Sequence, residues 1–215
     1  MPEKALVPEK SLPGKPLLPG KPLLPGKPLL PGKPLLIVAL ESEVPGDITD
    51  RWDVVFTGVG KINASYACMK AIANHRPGLL INYGTAGGIR NGLGKVVEVG
   101  TAVQCDMDVR PLGIALGTTP FDDCPAAINL SDSPICCGTA DRFSDSPPEL
   151  ICDIVDMELF ALAKIAWHEN IPLRAFKFIS DAADNNAGDS WKNSLPSSVE
   201  AFERLEPQLL ALTDN

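Results

Sequence analysis

The sequence predicts an α/β fold, and three observations carry that expectation. Short apolar runs rich in β-branched and aromatic residues recur along the chain, stretches with helical spacing separate them, and glycine-bearing turns close several of the runs. Strands divided by helices need crossover connections, which implies a largely parallel sheet covered by helices. A length of 215 residues suffices for one domain with a sizeable core and an appendage.

The elements follow in order. LLIVAL (35–40) and DVVFTG (53–58) read as strands, and KINASYACMKAIANH (61–75) places Ile62, Tyr66, Met69 and Ala73 on one helical stripe. GLLINYG (78–84), VVEVGTAVQC (96–105), PICC (134–137) and ELICDIV (149–155) read as further strands. DMELFALAKIAWHEN (156–170) is a helix, IPLRAFKFISD (171–181) a strand, and SSVEAFERLEPQLLALT (197–213) a closing helix that Pro207 should kink or divide. The last strand runs into FKFISDAADNNAGDSW (176–191), where an apolar run gives way to acids and amides of turn chemistry. Those acids either solvate a loop or belong to a site, since open α/β sheets hold their ligands at the carboxyl ends of strands.

The amino-terminal residues form a separate unit. From Leu12 the hexamer LPGKPL recurs four times without substitution, ending at Leu35, after the less regular MPEKALVPEKS. Proline at every third position forbids helix and sheet ladders and favours an extended, solvated backbone. The repeat reads either as a ligand for an aromatic groove or as an expanded leader without a partner. The expected division is a leader over 1–34 and a catalytic domain over 35–215.

Charge narrows the partners. The chain carries a net −8, and four of its 19 basic residues sit in the acid-free repeat, leaving 15 basic against 27 acidic groups elsewhere. Such a body is poorly suited to nucleic acid or anionic membranes, which need clustered Lys and Arg. No apolar run approaches the ~20 residues of a membrane span, and the basic-then-apolar order of a secretory signal is missing. The expectation is a cytoplasmic protein. Cys68, Cys105, Cys124, Cys136, Cys137 and Cys152 then read as free thiols, while His75 and His168 lie near predicted helix ends with no second ligand at metal spacing. Neither a metal nor a cofactor is expected.

Two glycine-bearing turns invite a phosphate-binding reading and fail it. TGVGKINAS (57–65) lacks the Ser or Thr after Lys and the upstream Gly of a P-loop, and the glycines of NYGTAGGIRNG (82–92) are misspaced for a dinucleotide fingerprint. What remains is close backbone approach to something small.

ALESEV (39–44), TGVGKINAS (57–65), NYGTAGG (82–88), CDMDVRPLG (105–113), VDMELFALA (155–163) and FISDAAD (178–184) occur together in a telling order. In that order and rough spacing the chain resembles the 5′-methylthioadenosine/S-adenosylhomocysteine nucleosidase family, within the purine nucleoside phosphorylase superfamily. The resemblance spans nearly all of 37–215 and implies a three-layer α/β sandwich around a mixed, partly barrel-like sheet. It also implies a homodimer that hydrolyses the N-glycosidic bond of adenine thionucleosides. The stretch from Glu43 to Gly58 is shorter than usual in that family, as though a pair of strands were missing, so relatives such as futalosine hydrolase stay in play.

The resemblance assigns roles that the chemistry supports. Breaking a ribosyl–purine bond passes through an oxocarbenium-like sugar and needs a proton on the base, an activated water and acceptors near the sugar hydroxyls. Asp181 matches the general acid that protonates the purine, with Ser180 orienting it. Glu43 matches the water-activating glutamate, helped by Thr85 and Lys177 where the family commonly has Ser and Arg. Met157 and Glu158 match the ribose-binding pair, and Phe143 matches the aromatic that stacks on the base. Taken alone, Glu43 is also a turn acid, Glu158 a first-turn helix acid, Asp181 a loop cap and Phe143 a core residue. In the family the pocket for the 5′ group uses apolar residues of the partner subunit, at about the positions of Pro111 and Leu112 here; Arg110 beside them is unexpected for a thioether and reads either as a partner for an anionic 5′ group or as a surface loop residue.

Two rivals accompany this reading. A phosphorylase would need a cationic phosphate cradle, where many superfamily members have an Arg at the position of Asn82; Asn82 and the acidic Glu43 favour water instead. A nucleoside-binding protein without turnover would have no use for both an acid and a base.

Overall fold

The computed structural model describes residues 32–143, 146–184 and 186–212, so most of the leader expected over 1–34 lies outside the described residues. In chain order the elements are β1 (Leu35–Val38), α1 (Ile48–Arg51), β2 (Asp53–Phe56), α2 (Lys61–His75), β3 (Leu80–Gly88), β4 (Val96–Glu98) and β5 (Thr101–Gln104). There follow β6 (Ala127–Asn129), β7 (Cys136–Thr139), β8 (Ile154–Asp156), α3 (Leu159–Glu169), β9 (Leu173–Asp181) and α4 (Ala187–Ala211). The strands join one mixed, open sheet of nine strands in the order β2-β1-β3-β8-β7-β5-β6, with β9 pairing both β3 and β4. Pairing is parallel for β1–β2, β1–β3, β3–β9, β5–β7 and β7–β8, and antiparallel for β3–β8, β4–β9 and β5–β6.

The period-two geometry of a strand explains the layers. Along β1, Leu35 and Ile37 point to the face covered by α2 and α3, while Leu36 and Val38 point to the face covered by α1 and α4. All four are buried, as expected of a strand sandwiched between helices, and burying each such side chain contributes about 1.5–3 kcal/mol. On the second face Tyr83 of β3 meets Phe202 of α4 edge-on, with ring centroids 5.0 Å apart.

The structure adds α1 and β6 to the elements read from the sequence, and it differs at four of those predicted. The predicted strand 96–105 is two strands, because the chain changes partners at Gly100: β4 pairs β9, whereas β5 pairs β6 and β7. A Cβ at Gly100 would lie 1.7 Å from the carbonyl oxygen of Ser133, so only glycine permits this crossing. The strand expected over 149–155 shrinks to β8, since Asp153 is already engaged by Cys136, through both its amide and its carboxylate. The stripe of Ile62, Tyr66, Met69 and Ala73 is turned to solvent in the single chain, and α2 packs through Ala64, Cys68, Ala71 and Ile72 instead.

The closing helix begins ten residues earlier than predicted, at Ala187, and keeps Pro196 and Pro207 within it. Local propensity disfavours that segment, yet tertiary bonds hold it. Ser198 donates to the Glu43 carbonyl at 3.2 Å, the Ser198 carbonyl accepts the Tyr83 hydroxyl at 2.7 Å, and the Trp191 indole donates to Thr85 Oγ1 at 3.0 Å.

Candidate active site

A cavity of about 260 Å³ opens where β1, β8 and β9 end, and its walls include Glu43, Thr85, Phe143, Met157, Glu158, Ser180 and Asp181. A wider hollow of about 470 Å³ beside Trp167 has Arg174 as its one charged lining residue among those described.

Glu43 ends the 3-10 turn Glu41–Glu43 that follows β1, and it is 2% exposed. Its Oε1 accepts both the backbone N–H and the hydroxyl of Thr85, each at 2.8 Å, and its Oε2 accepts the Leu40 N–H at 3.0 Å. A carboxylate held by three donors is fixed in direction and keeps lone pairs for a water.

Asp181 owes its place to a bulge. The β3–β9 register runs Ala86↔Ile179 and then Gly87↔Asp181, leaving Ser180 as the extra residue. Adjacent strand residues ordinarily point to opposite faces, but the bulge turns Ser180 and Asp181 toward one cavity. Asp181 Oδ2 accepts the Ser180 hydroxyl at 2.7 Å and Oδ1 accepts the Ala183 N–H at 2.8 Å. A Cβ at Gly87 would stand 2.9 Å from Asp181 Oδ1, so the close approach signalled by the glycines is to the carboxylate itself.

Glu158 is the residue before α3 and takes the Gly60 N–H at 2.8 Å, which ties it to the amino end of α2. Burial, then the neighbouring Asp156 charge, pushes its pKa up to about 7, against the opposing pull of Lys177. Met157 and the half-exposed Phe143 complete the walls assigned to sugar and base.

Three predicted site residues stand elsewhere. Lys177 does not join Glu43: it is buried with its ammonium 2.8 Å from Asp156 Oδ2, and it does not line the cavity. Its charge follows the nearest buried carboxylate. The Arg110 guanidinium is engaged by Asp108 and Glu149, and neither Arg110 nor Leu112 lines the cavity of this chain. Asn82 is also outside it, its amide donating to the Ile37 carbonyl at 3.0 Å.

Sequence reasoning missed Asp156, Arg142 and Trp191, which line the cavity as well. Asp156 was readable as the acid two positions before Glu158; Trp191 carried no signal, because the segment around it reads as loop. Among the described residues no group of three or more His, Cys, Asp or Glu side chains is arranged to hold a metal ion.

The family profile described as the phosphorylase superfamily matches residues 52–212. The chain belongs to the phosphorylase superfamily. Glu43 precedes the matched stretch. The 5′-methylthioadenosine/S-adenosylhomocysteine nucleosidase of Actinobacillus succinogenes is 28% identical over 189 residues, covering 74% of this chain and 79% of that protein. The Helicobacter pylori enzyme of the same name, solved with butyl-thio-DADMe-Immucillin-A, shares the fold with a TM-score of 0.75 at 18% identity, over 85% of this chain and 99% of that one. Futalosine hydrolase of Helicobacter pylori shares it at a TM-score of 0.70 and 18% identity, over 78% and 92% of the two chains. Two differently named enzymes thus share this fold, and a fold alone does not fix a substrate.

Proposed function

We infer that the protein is an N-ribosyl hydrolase that cleaves the N-glycosidic bond of a purine nucleoside of the 5′-methylthioadenosine or S-adenosylhomocysteine type. The observation that carries this reading is the convergence of Glu43, Glu158 and Asp181 on one cavity. Asp181 donates a proton to the departing base, Ser180 orients it, Glu43 with Thr85 takes a proton from the attacking water, and Glu158 with Met157 holds the sugar. Phe143 stacks on the base. The arrangement follows from what an oxocarbenium-like transition state demands on its two sides.

Hydrolysis fits better than phosphorolysis. The donors around Glu43 are an amide, a hydroxyl and a second amide, with no cation to cradle a phosphate dianion. Arg142, the one cation among the described residues that line the cavity, stands beside Phe143 on the base side of this reading.

The same reading makes the protein a cytoplasmic homodimer acting in methionine salvage. Ile62 and Tyr66 are 80% and 71% exposed on α2, and Val59, a few residues before them, lines the cavity; these exposed apolar side chains offer a second copy a surface to cover. No helix among the described residues is long and apolar enough to cross a membrane.

The test is to incubate purified protein with a panel of nucleosides, with and without orthophosphate, and to identify the products. Free sugar and base formed at a phosphate-independent rate are expected. A sugar 1-phosphate, or a rate that rises with phosphate, transfers the protein to the phosphorylase reading.

A further inference from the structure

Lys177 is the one charged side chain in the buried middle of β9, and it is 1% exposed. Its partner Asp156 does more than neutralise it. Asp156 Oδ2 also accepts the Leu159 N–H at 2.9 Å, and Oδ1 accepts the Thr139 hydroxyl at 2.5 Å. Thr139 Oγ1 in turn accepts the Phe160 N–H at 2.9 Å. The first two amides of α3 are thus bound from β7 and β8, and the turn carrying Met157 and Glu158 is pinned between them. Packing alone needs no ion pair here, since apolar replacements of buried pairs are often neutral or stabilising. Both charges act on Glu158, which lines the cavity.

We propose that the Lys177–Asp156 pair is a positioning device of the sugar site: Asp156 fixes the turn into α3, and Lys177 balances its charge so that Glu158 meets the sugar hydroxyls as an ionised acceptor. The proposal rests on the nucleosidase reading, because it gives Glu158 the ribose. The groups that face Glu158 are Asp156 on β8, Lys177 on β9, Glu43 after β1 and the Gly60 amide before α2; Asp181 and Arg142 share its cavity. Asp156 and Glu43 raise the Glu158 pKa, while Lys177 and Gly60 lower it. Loss of Lys177 and loss of Asp156 therefore act on Glu158 in opposite directions, which a merely structural pair would not do.

The experiment measures kcat and KM for 5′-methylthioadenosine and its 2′,3′-dideoxy analogue across the pH range around neutrality, in the wild type, Lys177→Met, Lys177→Arg and Asp156→Asn. In the wild type, KM for the ribonucleoside should fall as pH rises through about 7, where Glu158 ionises, and KM for the dideoxy analogue should not. Lys177→Met should move that limb to higher pH and raise the ribonucleoside KM at neutral pH about tenfold, the equivalent of one unit. Asp156→Asn should move it to lower pH, and Lys177→Arg should behave as the wild type. Limbs that stay in place, that shift together, or that change equally on both substrates overturn the proposal, as does a Lys177→Arg variant as impaired as Lys177→Met. Should Lys177→Met not fold, the direction of the Asp156→Asn shift decides alone. Absence of turnover in the wild type would sink the nucleosidase reading instead, and calorimetric binding of the same two ligands over the same pH range would still report the limb.

Discussion

Thr85 gives Glu43 two hydrogen bonds on a single oxygen: its backbone N–H and its hydroxyl both reach Oε1 at 2.8 Å. The same hydroxyl accepts the Trp191 indole N–H at 3.0 Å, so a residue of α4 sets the rotamer with which Thr85 holds the base. A hydrogen bond to a charged group is worth about 1.5–3 kcal/mol. Thr85→Ala should therefore lower kcat roughly 10- to 100-fold, Thr85→Ser should restore most of it, and Trp191→Phe should cost less than tenfold. Steady-state kinetics of the three variants checks this; equal losses in Thr85→Ala and Thr85→Ser would remove the hydroxyl from the account.

Two glycines of β3 differ in what a methyl group would meet. At Gly87 a Cβ would lie 2.9 Å from Asp181 Oδ1 and 3.2 Å from Val155 Cγ2, whereas at Gly84 its nearest neighbour is Glu43 Oε1 at 3.5 Å, an ordinary contact. Gly87→Ala should push the acid out of place and lower kcat about 10²-fold, as misplacements on the order of 1 Å do. Gly84→Ala should change activity by less than about threefold. The paired comparison fails if both variants lose activity alike.

Much of this architecture was legible in the sequence, and the omissions share a cause. Strands β1, β3 and β9 and helix α3 follow from their apolar runs and spacing; the span of α2 was legible too, but not its buried face, which is Ala64, Cys68, Ala71 and Ile72 rather than the stripe through Ile62 and Tyr66. The first half of α4 was not legible, since Gly188, Ser190 and Asn193 weaken helix propensity, and distant contacts help to hold it, from Trp191 to Thr85 of β3 and from Ser198 to Tyr83 of β3 and to Glu43. The same holds at the site. Glu43, Glu158 and Asp181 end recognisable elements, but the partner of Lys177 depends on which buried carboxylate lies across the sheet, and single-strand alternation says nothing of that.

Glu158 links stability to pH. Its folded-state pKa of about 7 lies above the ordinary carboxylate value of 4.5, so the folded state holds this proton more tightly than the unfolded chain. Its contribution is fully present below the unfolded pKa and is lost as pH rises through about 7, by about 3 kcal/mol in all. Thermal melting of the ligand-free protein should show stability falling over that window, and Glu158→Gln should flatten the slope. An unchanged slope in the variant would assign it to another group.

Gly32 packs against the folded part of the chain: its carbonyl accepts the Gly78 N–H at 3.1 Å, and a Cβ there would strike the Arg76 carbonyl oxygen. A chain starting at Gly32 is expected to fold and to keep full activity. A loss of more than about tenfold in kcat/KM, roughly 1.4 kcal/mol, would give the LPGKPL repeat a working role.

The division of labour proposed for Asp181 and Glu43 can be read from a change of leaving group. Asp181→Asn keeps the shape of the side chain: its oxygen can still accept the Ala183 N–H, and the Ser180 hydroxyl can turn to accept from its amide. What it loses is the transferable proton. Glu43→Gln loses the base, and with its oxygen kept on Thr85 its amide faces the Leu40 N–H, donor against donor, so this variant should also melt at a lower temperature. Each should lower kcat on a purine nucleoside by roughly 10²–10⁴ while binding survives. A nitrophenyl riboside departs without needing a proton, so it should restore turnover to Asp181→Asn and leave Glu43→Gln impaired, since water must still be activated on the opposite side of the sugar. Measuring both substrates at one pH, with folding checked by melting temperature, separates a missing proton from a damaged sheet. Equal loss on both substrates in Asp181→Asn would remove it from the general-acid role and leave the acids that follow β9 as the solvated loop their composition resembles.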